Sequence, residues 1–166
     1  MLKVDLPYPN IDNLTTDRRT AYVISPAYAG NNGELTAILQ YAYQENYFIK
    51  DGALEIAKTI EEISICEMFH LKLLASTLLK LGAPPVYTTT AFNKYAHYST
   101  ASVSYVTKPK QMLLDNISGE MQAIADYTEI INNVDNETVK EVIMRIKLDE
   151  ELHLSTLKNL LKNYCE

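Results

Sequence analysis

The stretch Glu67-Met68-Phe69-His70 lies in the middle of a long helix-compatible run, and Glu150-Glu151-Leu152-His153 echoes it near the carboxyl end. Three residues on a helix are close to one turn, so in each stretch the Glu and the His project from one face. A carboxylate beside an imidazole on an apolar stripe is a poor core element and a good metal-binding one. The chain has only three histidines, and two of them stand in this arrangement.

Working outward, the run around Glu67 predicts a helix over about 53–81, with Ile56, Ile60, Ile63, Leu74, Leu78 and Leu81 inward. Gly82 and Pro84-Pro85 end it. Before it, a helix over about 32–50 is stopped by Asp51-Gly52 and carries Glu34, Ile38, Tyr41 and Phe48 on one stripe. After it, residues 82–108 are rich in Tyr, Thr and Ser and show no clear period. A connection that long suits a crossover running the length of a bundle. A third helix begins near Pro109, a favourable first-turn residue, and aligns Leu113, Ile117, Glu120, Ile124, Tyr127 and Ile131. A fourth follows Asp135, with Val139, Ile143, Ile146, Leu157, Leu160 and Tyr164 inward and Glu150 and His153 at its centre. His97, with Lys94 rather than Glu three residues before it, is read as outside the site.

The two halves repeat a design. The first helix of each pair carries a lone glutamate and, two turns on, a tyrosine: Glu34 with Tyr41, Glu120 with Tyr127. The second carries the Glu-x-x-His turn. Four carboxylates in one dry interior repel one another and each demands neutralisation. Two divalent ions supply that charge, and one histidine completes the shell of each. The bland reading, two amphipathic hairpins with incidental polar core residues, leaves the four acids unbalanced.

The bulk numbers bound the rest. A length of 166 residues suits one domain. Residues 1–30, interrupted by Pro7, Pro9 and Pro26, are expected to form an irregular arm, and residues 31–166 the helical domain. A net charge of −6 without a basic cluster argues against nucleic acid as a partner. The apolar runs are too short for a membrane span, and no signal peptide is apparent, so a cytoplasmic location is expected. Cys66 and Cys165 form no CxxC pair, and Cys66 reads as a reduced, inert thiol. No four-cysteine electron-transfer site can be built from two cysteines.

These six positions, in this order and with the long connection between the second and third helices, resemble the ferritin-like superfamily of di-metal carboxylate bundles: rubrerythrins, bacterioferritins and manganese catalases. The resemblance covers about residues 31–165 and implies an all-α fold, a ferritin-like four-helix bundle with one long crossover. It implies two Fe or two Mn ions per chain, held by Glu34, Glu67, His70, Glu120, Glu150 and His153. Glu67 and Glu150 match the usual bridging carboxylates, and Glu34, Glu120 and the histidines the terminal ligands. In manganese catalases the third-helix carboxylate, here Glu120, bridges instead, so both divisions stay open. Tyr41 and Tyr127 match tyrosines that hydrogen-bond the ligand carboxylates. The chain departs from rubrerythrins at Ala123, where they carry a further Glu, and in lacking their rubredoxin-like domain; manganese catalases are considerably longer. The implied activity is oxidoreduction of hydrogen peroxide or dioxygen, catalase- or peroxidase-like, with a separate electron donor if the metal is iron. The alternative is iron binding and storage with ferroxidase chemistry; a metal-free interaction module is the third reading. A homodimer or higher homo-oligomer is expected.

Overall fold

Among residues 1–89 and 96–165, which the computed structural model describes, the chain forms five α-helices. They are α1 (Arg18–Ala29), α2 (Glu34–Lys50), α3 (Leu54–Lys80), α4 (Pro109–Asn133) and α5 (Glu137–Cys165). Helices α2 to α5 are the four expected from the sequence.

Local chemistry sets the helix ends. Gly52 and Gly82 have φ of 77° and 79°, the left-handed conformation that closes α2 and α3. Behind each, two backbone N–H groups fold back onto the last turn. Gly52 N donates to Ile49 O at 3.0 Å and Ala53 N to Phe48 O at 2.9 Å, and Gly82 N and Ala83 N do the same to Leu79 and Leu78. Pro109 opens α4, where its missing N–H costs nothing. Asn136 caps α5 by accepting from Val139 N at 3.1 Å.

The arm is irregular only as far as Asp17. Proline was expected to exclude helix from residues 1–30, yet α1 contains Pro26. Two local devices outweigh it. Asp17 caps the helix, accepting from Thr20 N at 3.1 Å and from the Thr20 hydroxyl at 2.6 Å. The Tyr22 carbonyl, left without the N–H that Pro26 lacks, accepts the Ser25 hydroxyl at 3.2 Å. Burial does the rest, because Ala21, Ile24, Ala27 and Tyr28 join the core. Replacing Asp17 with Ala is expected to cost about 1 kcal/mol of stability, measured by urea unfolding. The Thr20 hydrogen bonds hold the Asp17 carboxyl below its usual range, so this contribution is lost as pH falls through the depressed value.

After α3 the chain returns along the outside of the bundle. The Thr36 hydroxyl meets the Tyr98 hydroxyl at 3.2 Å, Ser104 N donates to Gln40 Oε1 at 2.8 Å, and the Tyr43 hydroxyl donates to Tyr105 O at 3.2 Å. Residues 98–105 therefore run beside residues 36–43 in the same direction, which carries the chain to the far end before α4 starts. Helices α3 and α4 consequently run parallel, while α2 pairs antiparallel with α3 and α4 with α5. Lys94 and Tyr95 lie outside the described residues. His97 is exposed and forms an isolated bridge with Thr88.

The apolar core has two parts. One gathers α1 with Leu74, Leu78, Ile143 and Ile146. The other holds Phe48, Ile60, Ile63, Met112, Leu113 and Leu157. Each such side chain contributes about 1.5–3 kcal/mol by leaving water. Tyr127 belongs to the first part and Tyr41 to the second, and the ionisable residues sit between them. Tyr164, expected inward, is 46% exposed near the free end of α5.

Candidate metal centre

Helical periodicity delivers the six candidate residues to one place. Glu34 opens α2, Glu67 and His70 share one turn of α3, Glu120 lies mid-α4, and Glu150 and His153 share one turn of α5. All are buried, each exposed by 4% or less. Two groups of donor atoms form: Glu34, Glu67, His70 and Glu150 in one, and Glu67, Glu120, Glu150 and His153 in the other, each with its atoms within 4.8 Å of one another. Glu67 and Glu150 belong to both.

The histidines present their Nδ1 atoms inward. His70 Nδ1 lies 2.9 Å from Glu67 Oε2, 3.1 Å from Glu150 Oε1 and 3.8 Å from Glu34 Oε1. His153 Nδ1 lies 2.9 Å from Glu67 Oε1, 3.2 Å from Glu150 Oε2 and 3.9 Å from Glu120 Oε1. The two halves of the bundle thus make near-identical sets. The tyrosines tie them crosswise: the Tyr41 hydroxyl donates to Glu120 and the Tyr127 hydroxyl to Glu34.

The outward nitrogens are also partnered. His70 Nε2 lies 3.1 Å from Asp149 Oδ2, and His153 Nε2 lies 2.8 Å from the Leu2 carbonyl. Both partners only accept, so each Nε2 carries a proton, and in the neutral form of either ring Nδ1 would turn a bare lone pair toward the carboxylates. Lone pairs facing carboxylate oxygens at about 3 Å repel unless a proton or a cation lies between. Glu67 Oε1 and Glu150 Oε1, both buried, face these nitrogens, His153 Nδ1 at 2.9 Å and His70 Nδ1 at 3.1 Å, and are satisfied only when a proton or cation lies there. The donor set, four carboxylates and two imidazoles without thiolate, fits a pair of iron or manganese ions.

Without metal, protons do the balancing. Burial pushes the Glu34 and Glu120 carboxyls well above their usual range, and the neighbouring charges of Glu67 and Glu150 push the same way. Burial works against charge on His70 and His153, but the surrounding acids outweigh it and raise both well above 6.5. Burial also opposes charge on Glu67 and Glu150; there the imidazoles win and both stay below the usual range.

Sequence reasoning missed several neighbours. Asp149 is fully buried and pairs with Arg145 at 2.8 Å. Its signal was present, three residues after Ile146 and four before His153, on the inward stripe. Cys66 is no isolated thiol: its Sγ lies 3.5 Å from His70 Nε2. Burial pushes that thiol up, but His153 and His70 more than compensate and bring it below its usual range. Nothing in the sequence signalled that Tyr8, from the arm, would reach Asp149.

On the α2–α4 side a cavity of about 260 Å³ touches all four glutamates and both tyrosines. Its rim includes Asn31, Ser104, Asp115 and Gly119. The histidines do not line it; they face the amino-terminal segment.

Fold and site together define a helical bundle with a carboxylate–histidine centre at its middle. The sequence matches the ferritin-like domain over residues 31–164, and the chain belongs to that family. Solved structures agree on the fold. KatB, a manganese catalase from Anabaena PCC7120, has 18% identity and a TM-score of 0.81, over 100% of this chain and 81% of that one. Desulfovibrio desulfuricans bacterioferritin, a diiron protein, has 24% identity and a TM-score of 0.72, over 87% and 81%. The dodecameric thioferritin of Bacteroides fragilis has 22% identity and a TM-score of 0.68, over 91% and 89%. No curated protein matches the sequence. Among the described residues, no helix is long and apolar enough to cross a membrane.

Proposed function

We propose that the chain holds two manganese or two iron ions between Glu34, Glu67, His70, Glu120, Glu150 and His153, and acts on hydrogen peroxide or dioxygen as a catalase- or peroxidase-like oxidoreductase. The observation that carries this is the pair of donor sets sharing Glu67 and Glu150. When bound, such a pair supplies Lewis acidity and one-electron redox at each of two adjacent ions.

The chain's own residues divide the remaining work. Glu67 and Glu150 each offer one oxygen to either set, which fixes the spacing of the two positions. Glu34 and Glu120 close the cavity side, where a small polar substrate enters between α2 and α4. Tyr41 and Tyr127 hold those two carboxylates in place by hydrogen bonds. Asp149 orients the His70 ring from behind. The apolar layers on either side keep bulk water from the buried acids. Two cysteines cannot form a built-in four-cysteine relay, so an iron form draws electrons from a separate donor, whereas peroxide disproportionation at manganese needs none. The reading includes a cytoplasmic protein assembled as a homodimer or higher homo-oligomer.

Metal analysis of the purified chain, joined to oxygen evolution from peroxide without reductant, tests this. The expected result is about two ions per chain and oxygen release. Iron(II)-dependent oxygen consumption by a large shell, without oxygen release, would move the protein to the ferroxidase and storage reading that the bacterioferritin likeness supports. A metal-free, inert protein would end both. Tyr127→Phe is expected to retain the ions while changing turnover several-fold, because only the hydrogen bond to Glu34 is lost. Metal analysis beside steady-state kinetics checks it.

A further inference from the structure

We propose that residues 2–8 form a positioning strap of the metal centre, holding the outward nitrogens of His70 and His153 so that their inward nitrogens stay presented. This rests on the metal reading above.

The strap reaches both histidines from outside the four-helix bundle. Its Leu2 carbonyl accepts from His153 Nε2 at 2.8 Å, and Leu2 is itself fixed by donating its N–H to Glu62 O at 3.0 Å. On the other side the strap grips both oxygens of Asp149, the partner of His70. Val4 N donates to Oδ1 at 2.7 Å and the Tyr8 hydroxyl to Oδ2 at 2.5 Å. The same hydroxyl lies 3.4 Å from His70 Nε2.

Arg145 then clamps the strap to α5. Its guanidinium donates to Val4 O at 2.7 Å and to Leu6 O at 3.0 Å, and lies 4.2 Å from the centre of the Tyr8 ring. Arg145 is 5% exposed, so this clamp is a buried one. Tyr8 also packs on Phe69, next to His70, with ring centres 4.6 Å apart. A segment of seven residues with little core of its own thus spends its backbone and side-chain polar groups on the far side of the two site imidazoles. Partners of this kind fix the tautomer of a ligand histidine, and losing one typically costs 10- to 100-fold in metal affinity.

The test uses the full chain loaded with zinc, a redox-inert probe for the same donors. Val4→Pro with Tyr8→Phe deletes both of the strap's donors to Asp149 and leaves Arg145 in place, while Val4→Ala keeps the backbone N–H. The proposal expects the double variant to release zinc to EDTA about 10- to 100-fold faster than the parent, and Val4→Ala to match the parent. It also expects ¹⁵N-histidine spectra of the double variant to show faster exchange of the His70 Nε2 proton. Release and exchange at parental rates in a folded double variant would overturn it. Should the double variant fail to fold, Tyr8→Phe alone decides: release at least several-fold faster supports the strap, and parental release overturns it. A parent chain that takes up no zinc overturns the metal reading itself, and the strap's role with it.

Discussion

Glu67→Ala is expected to purify with less than half the metal of the parent chain and to show no measurable peroxide turnover. Among single changes only Glu150→Ala, at the other glutamate common to both sets, should remove as much. One Glu67 oxygen lies 2.9 Å from His70 Nδ1 and the other 2.9 Å from His153 Nδ1, so the substitution strips a donor from both sets at once. His70→Ala is expected to act in the same direction through one set. Glu61→Ala, on the exposed face of the same helix, should alter neither quantity. Parental metal stoichiometry in both Glu67→Ala and His70→Ala would refute the assignment.

Metal loading is expected to release protons, up to about four per chain, and its stabilising effect should grow as pH rises. Glu34, Glu120, His70 and His153 are all raised above their ordinary values of 4.5 and 6.5, so protons compete with the ions at these four positions. Four protons and two divalent ions carry the same charge, so a full exchange would leave the buried charge unchanged. Stability contributed by raised groups is fully present below their unfolded values and is lost as pH rises through the folded ones. Glu67, Glu150 and Asp149 are depressed, so their contribution is lost only as pH falls through their lowered values. The metal-free chain should therefore melt at lower temperature as pH climbs above 6.5. The loaded chain should not, because the ions replace those protons. At a metal concentration of 100 times Kd, each bound ion adds about 2.7 kcal/mol. Calorimetric melts with and without metal across pH check the sign, and titrations in two buffers of different ionisation enthalpy count the protons. A pH-independent gap would contradict the exchange.

The sequence carried the centre of this structure because helical spacing is a strong constraint. Glu67 with His70, and Glu150 with His153, had to share a face once the surrounding run was helical. Glu34 and Glu120 were legible by interrupting apolar stripes, and Tyr41 and Tyr127 by lying two turns further on. The stripes themselves needed only small corrections: Tyr164 stands exposed, Ile130 is buried in the core with Ile131 packed against it, and Ile38 and Ile124 join neither apolar cluster. What stayed hidden depended on tertiary contact. Pro26 read as a breaker because its remedy, the Ser25 hydroxyl on the Tyr22 carbonyl, is a matter of geometry. Asp149 sat on an inward stripe but was eclipsed by Glu150 beside it. The arm carries no period that points at the bundle; a backbone carbonyl at Leu2 has no signature in sequence at all. Cys66 differs, since it stands four residues before His70 on one helix and helical spacing alone signalled their nearness.

The central claim is that two ions share Glu67 and Glu150 inside this bundle. Anomalous scattering from crystals of the manganese-loaded protein tests it most directly. The account predicts two peaks, one beside Glu34 and His70 and the other beside Glu120 and His153, each in contact with both shared glutamates. A single peak, peaks confined to surface carboxylates, or density showing either histidine turned away would contradict it.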